Sequence, residues 1–203
     1  MLLNDVDHVF LTSLDEIAWL LNVRATDIEY NPLVISYLLV SQGSVRWFVR
    51  GADDEENLDL DTRDSFDELE LDDVEIHDYS CVEEVLAELF GPDEESVIFV
   101  DPSTLNHHLA SHLGNLFALG SIKYGTSPVI LQKSIKVESE IENLRQTHID
   151  DGVAMTRFLY WLETEVASGR EVTEWEASEK LTSLRAEIPG YKGNSFENIS
   201  AYG

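Results

Sequence analysis

Leu33-Val-Ile-Ser-Tyr-Leu-Leu-Val40, followed across Gln42-Gly43 by Ser44-Val-Arg-Trp-Phe-Val-Arg50, is the stretch that decides the fold class. Each arm is a short apolar run rich in β-branched and aromatic residues, and a glycine-containing turn separates them. That pattern predicts a β-hairpin. Upstream, Val6 to Leu11 reads as another strand. Ser13-Leu-Asp-Glu16 then reads as a capping box opening a helix from Leu14 to about Leu21. Asn31-Pro32 breaks the chain before the hairpin. Downstream, Val74 to His77 is a short strand. Ser80-Cys-Val-Glu83 is a second capping box, with Val82, Val85, Leu86 and Leu89 on one helical face until Gly91-Pro92. Ser96 to Val100 is a buried strand. Asp101-Pro102 is expected to cap a helix running to about Leu113 and ending at Gly114, and Ser127 to Leu131 is expected as a last strand. Strands alternating with helices predict an α/β domain over residues 1–133.

From residue 134 the pattern becomes helical. Ile141, Leu144, His148, Met155, Leu159, Leu162 and Val166 recur at three-, four- and seven-residue intervals. They predict one buried stripe on a helix over about 137–167, broken or bent near Gly152 and closed by Ser168-Gly169. Thr173-Glu-Trp-Glu176 is a third capping box, and Ala177, Leu181, Leu184 and Ile188 form the next face before Pro189-Gly190.

The net charge of −27 is unevenly spread: residues 1–133 hold 27 acids against 6 Lys and Arg, and 13 of the acids lie between Asp53 and Glu75 beside Arg63 alone. Such a surface repels phosphate backbones and argues against nucleic-acid binding. The acidic segment reads as a solvated loop that Leu58, Leu60, Phe66, Leu69 and Leu71 tack to the body. Adaptation to salt is the sharper reading, because screening relieves the self-repulsion. There is no apolar run of about 18 residues and no basic leader, so no membrane span and no signal peptide are expected. The single cysteine, Cys81, excludes an internal disulfide and favours a cytoplasmic protein; it is read as an ordinary half-buried residue.

His107, His108 and His112 cluster on one predicted helix. His108 and His112 are four apart, so both rings can face one metal, but no Asp or Glu accompanies them at helical spacing and a further ligand would have to come from elsewhere. They are read as a polar helix face. His148 reads as a hydrogen-bonded residue on the apolar stripe, and His8 and His77 carry no motif. Asp150 and Asp151 point about 100° apart on a helix and read, with Glu197, as solvated acids. Trp19, Trp47, Trp161 and Trp175 fall on separate elements and read as packing residues. Gly114, Gly120 and Gly125 are too scattered for a phosphate loop, and no nucleophile elbow is present. No catalytic, cofactor-binding or metal residue is assigned.

Four blocks carry a family resemblance: Leu14-Asp-Glu-Ile-Ala-Trp-Leu-Leu-Asn-Val-Arg24 with Asp27-Ile-Glu-Tyr-Asn-Pro-Leu33, the run from Lys133 to Glu163, Thr173 to Leu181, and Gly193-Asn-Ser-Phe-Glu-Asn-Ile-Ser-Ala-Tyr-Gly203. In this order they resemble the three-domain Xaa-Pro aminopeptidases of peptidase family M24. Ala25 stands where that family usually has glycine, and the acidic segment has no counterpart. The resemblance implies a creatinase N-terminal-like middle domain (1–133, a mixed sheet with flanking helices) followed by the first helices of an incomplete pita-bread α+β domain (134–203). It implies an enzyme that releases an N-terminal residue preceding proline, through a hydroxide bridging two divalent metals, usually manganese. Two Asp, one His and two Glu hold those metals in the family, all at positions beyond Gly203. The chain is therefore expected to be a piece of a longer cytoplasmic, homodimeric hydrolase and inactive alone, with a structural, access-limiting and dimer-supporting role. A stand-alone interaction or assembly domain is the alternative.

Overall fold

The computed structural model describes residues 5–52, 71, 73–89, 96–116 and 121–201. The chain divides into two compact units, 1–135 and 136–203. The first is a mixed α/β unit around a six-stranded sheet: β1 His8–Leu11, β2 Ser36–Ser41, β3 Ser44–Val49, β4 Val74–Asp78, β5 Ile98–Val100 and β6 Ile122–Tyr124, in the order β4-β3-β2-β1-β5-β6. β2 runs antiparallel to both its neighbours, and every other pairing is parallel. The β2–β3 hairpin turns at Gly43, whose φ of +83° favours a residue without Cβ.

Side chains alternate between the two faces, as the pleat requires. Phe10, Leu39, Phe48, Ile98 and Val100 pack one way against α2 (Val82–Leu89) and α3 (His107–Leu116), meeting Val82, Leu86, Leu109 and Leu113. Leu11, Leu38, Trp47 and Val49 pack the other way against Ile17 of α1 (Leu14–Leu20) and Val129 of α4 (Pro128–Ser134). The unit is a three-layer sandwich.

Several local expectations change in this setting. Ser13 does not cap α1: its hydroxyl donates to Asp15, and Glu16 is buried. Ser80 is not an N-cap either. Asp78 accepts from the Ser80 amide and hydroxyl and opens a 3-10 turn, Tyr79–Cys81, that leads into α2. Asp101 accepts from the Ser103 amide at 2.9 Å and caps only a turn; α3 starts later, with Asn106 Oδ1 accepting from the Leu109 amide, and continues through Gly114 to Leu116. Ser127 to Leu131 is helix, not strand: Ser127 is the N-cap and Pro128 the first helical residue, the position where proline's missing N–H costs nothing. The edge strand is β6, a three-residue element too short to leave a periodic signal. The expected contacts of Leu58, Leu60, Phe66 and Leu69 lie outside the described residues, whereas Leu71 packs beside the second core.

The second unit contains α5 (Glu138–Ala167) and α6 (Glu174–Ala186). α5 is one continuous 30-residue helix that passes through Gly152. Thr173 caps α6, its side chain accepting from the Glu176 amide, while the Glu176 carboxylate pairs with Arg170 instead of reaching back. The buried face of α6 is Ala177, Leu181 and Leu184, as the periodicity predicts. The predicted stripe of α5 is covered in part. Its Ile141, Met155 and Leu162 are half-buried, beside buried Ala154 and half-buried Phe158 and Trp161, whereas its Leu144, Leu159 and Val166 are 48%, 55% and 58% exposed. A single partner helix of 13 residues covers only part of the apolar surface of a 30-residue helix.

Leu86 has no solvent exposure and lies in the core cluster between α2 and the sheet. Leu86→Ala is expected to cost about 2–5 kcal/mol, lost transfer energy plus a residual cavity, and urea unfolding followed by far-UV circular dichroism measures it.

Candidate functional site

Between β1 and β5 the strand order reverses, since the chain leaves β1 toward β2 and later returns on β1's other side. In open α/β sheets that reversal, at the carboxyl ends of the parallel strands, is where functional groups gather. Thr12 and Thr104 face each other there, Oγ1 to Oγ1 at 2.9 Å. Asp101, directly after β5, accepts from the Ser103 hydroxyl and amide and, through Oδ2, from the Ser127 amide at 2.8 Å. Ser127 in turn donates its hydroxyl to Glu16. Two buried carboxylates thus share one serine, and Lys133 pairs with Asp15 beside Glu16.

The two acids respond in opposite ways. Burial pushes Glu16 up, the Asp15 and Asp101 charges add to this, and the Ser127 hydrogen bond together with the Lys133 charge does not offset it. Burial also pushes Asp101 up, but the donors from Ser103 and Ser127 outweigh it and hold Asp101 below the ordinary value. The arrangement is a closed polar seam joining α1, β5 and α4, and each donor already has its acceptor.

A second polar group lies nearby. Tyr79 donates its hydroxyl to Tyr37 Oη at 2.8 Å, Asn106 donates to the same oxygen at 3.1 Å, and the Arg50 guanidinium sits 5.7 Å from the Tyr79 ring centroid. Burial and the Tyr79 contact push Tyr37 up to about 12, which makes it a neutral, structural phenol.

The histidines are dispersed. His8 Nδ1 meets Ser41 Oγ at 2.7 Å, His77 stacks on Phe48 and stands 3.5 Å from Glu75, and His148 is exposed with Nδ1 on the Leu144 carbonyl. His107 is exposed, whereas His108 and His112 both reach Glu83 of α2, a partner 25 and 29 residues away that no helical spacing reveals. That hydrogen bond from His108 holds Glu83 below the usual carboxylate range. In the second unit Asp151 is not a solvated acid: it accepts from Arg185 Nε at 2.7 Å. Asp150 accepts from Gln146 and Glu197 is exposed. A half-open cavity of about 420 Å³ lies among His148, Asp151, Arg185, Tyr191 and Asn194. Trp47 is core, Trp19 is packed, Trp161 lies under Lys180, and Trp175 is 70% exposed, against the expectation that it packs. Among the described residues, no group of three or more His, Cys, Asp or Glu side chains could hold a metal ion.

Residues 1–140 match the creatinase/prolidase N-terminal domain family. The chain belongs to that family. Within this creatinase N-terminal group the likeness to single proteins runs further along the chain. The chain is 34% identical over 201 residues to the Xaa-Pro aminopeptidase app-1 of Caenorhabditis elegans, covering 97% of this chain and 31% of the relative. A probable Xaa-Pro aminopeptidase P of Laccaria bicolor is 33% identical over 204 residues, 97% of this chain and 29% of the relative. The crystal structure of X-prolyl aminopeptidase from C. elegans, described as a cytosolic enzyme with a di-nuclear active site, superposes with a TM-score of 0.81 at 32% identity, over 97% of this chain and 31% of that one. The chain spans about a third of the length of the curated relatives it matches. Among the described residues, no group of His, Cys, Asp or Glu side chains fits a dinuclear centre. No helix among them is long and apolar enough to cross a membrane.

Because Glu16 titrates above its unfolded value, its contribution to stability is full below about pH 4.3, the value of a free glutamate, and is lost as pH rises through the folded value. Glu16→Gln keeps an acceptor for Ser127 and removes the charge. The variant is expected to match the parent near pH 4 and to exceed it in urea-unfolding free energy at pH 7. A difference that stays flat or reverses sign with pH would refute this.

Proposed function

We propose that this chain is the middle domain and the opening of the catalytic domain of an Xaa-Pro aminopeptidase, a hydrolase that releases the N-terminal residue preceding proline. The observation that carries the reading is the extent of the likeness. It runs over 97% of the chain, beyond residue 140 where the domain-family match stops, and the relatives that share it are Xaa-Pro aminopeptidases. Residues 134–203 would then be the first helices of the pita-bread domain. The two metals, manganese in this reading, would be held by groups outside these residues. The role left to the chain is to shape and narrow access to a site that takes proline-containing peptides, in a cytosolic homodimer.

The exposed apolar residues of α5 support this. Leu144, Leu159 and Val166, with Val137 just before the helix, are all about half or more exposed, and large exposed apolar patches are uncommon on isolated soluble domains. In the longer protein the remainder of the catalytic domain would cover them.

Two measurements follow. The purified 203-residue chain, given manganese and the peptide Arg-Pro-Pro, should release no arginine above a protein-free blank; release that a chelator abolishes would end the proposal that the chain is silent alone. Light scattering should show concentration-dependent self-association that Leu144→Ser with Leu159→Ser reduces. A strictly monomeric parent at high concentration would contradict the exposed-strip reading.

A further inference from the structure

Beyond α6 the chain doubles back. Pro189 follows the end of the helix, and Gly190, at φ +81°, takes the left-handed turn after it. Asn194 then meets Thr182, and Asn198 meets both Thr182 and Ser178. Four residues onward along this segment are one turn back along the helix, so 191–198 lies antiparallel on α6. Apolar burial does not hold it there, since Phe196 and Ile199 are 63% and 91% exposed. Polar side chains hold it instead.

Those side chains form one connected network. Tyr191 donates its hydroxyl to Asn194 Oδ1 at 2.8 Å, and Asn194 Nδ2 donates to Thr182 Oγ1 at 3.0 Å. Asn198 Nδ2 donates to the same hydroxyl at 2.9 Å and to the Ser178 carbonyl at 3.1 Å. Both lone pairs of the Thr182 oxygen are then used. Asn198 Oδ1 accepts from Arg185 Nη1 at 3.2 Å, while Arg185 Nε and Nη2 donate to Asp151 Oδ1 and Oδ2 of α5 at 2.7 and 3.4 Å. Arginine only donates and a carbonyl only accepts, so a single orientation of the Asn198 amide suits both of its neighbours. The Arg185 side chain is 21% exposed, and through it the segment is tied to α5 as well as to α6.

We propose that Arg185 is a positioning residue. Its guanidinium latches the segment 191–198 onto α5 and α6 and so sets the direction in which the chain runs past Asn198. Two properties of the side chain suit it to this. The charge-assisted fork on Asp151 is the strongest link in the network, and the planar guanidinium keeps a further N–H free for Asn198 at a fixed angle. A lysine ammonium can satisfy Asp151 but offers no second arm in that plane. The segment and Asp151 also line the half-open cavity of about 420 Å³, so the latch holds part of that cavity's wall in place. The latch itself is independent of the aminopeptidase reading. Only its consequence rests on that reading: there the chain past Asn198 enters the rest of the catalytic domain, and Arg185 would orient its entry.

The test is backbone 15N relaxation on the labelled 203-residue chain, which reads the segment without reference to peptide hydrolysis. In the parent, the order parameters of 192–198 are expected to match those of α6, near the value of about 0.85 for rigid backbone. In Arg185→Lys, which keeps the charge and loses the fork, they should fall below about 0.6, the range of flexible backbone, while α6 keeps its values. Thr182→Val keeps the shape of the side chain, removes the shared acceptor and should do the same. Ser183→Ala, one residue along α6 and outside the network, should change nothing. Three results would overturn the proposal: a segment already flexible in the parent, parent values retained in either Arg185→Lys or Thr182→Val, or loosening of α6 together with the segment.

Discussion

The parallel pairing of β1 with β5 is the constraint on which the first unit rests. It joins His8 to Ile98 and Phe10 to Val100, about ninety residues apart, and the Asp7 amide and side chain extend it through Val97. Without it the β1–β2–β3 meander and the β5–β6 edge would be separate pieces, each too small to bury its apolar faces. With it the sheet has two covered faces and one topological reversal. Closing so long a loop is entropically expensive, and the burial of Phe10, Ile98 and Val100 beside Leu39 in one core offsets that cost.

The polar seam at the reversal follows from the same pairing. Once β5 lies beside β1, Asp101 sits at the strand end next to Thr12, and α4 must start where its Ser127 can reach both Asp101 and Glu16. Glu16 is the residue that pays no attention to its local signal. A capping role would leave its carboxylate in water, yet the packing of Ile17 and Ala18 turns this stretch of α1 inward and takes Glu16 with it. The result is a buried acid with one hydroxyl donor, held in place by the surrounding packing.

In the second unit the same competition between local pattern and packing partner has a different outcome. The apolar residues of α5 exceed what α6 can cover. The helix presents Ala154, Phe158 and Trp161 to its partner and leaves Leu144 and Leu159 bare. Periodicity reports that a row is apolar; it does not report how much of that row a short helix will cover. The curated relatives that the chain matches are about three times as long.

The sequence by itself determined the α/β class, the hairpin at Gln42-Gly43, the Thr173 cap and the apolar face of α6, because each depends on neighbours within a few residues and on the periods of helix and strand. It also carried the family, through blocks such as Leu14 to Arg24 and Lys133 to Glu163. Ser127-Pro128 is a local helix-start signal that the apolar run Val129 to Leu131 obscured, whereas tertiary structure alone decided that Glu16 would be buried and that Glu83 would meet His108 and His112. Those outcomes rest on contacts between residues 25 to more than 100 positions apart, and burial against a distant element outweighs the roughly 1 kcal/mol that a local cap or propensity contributes.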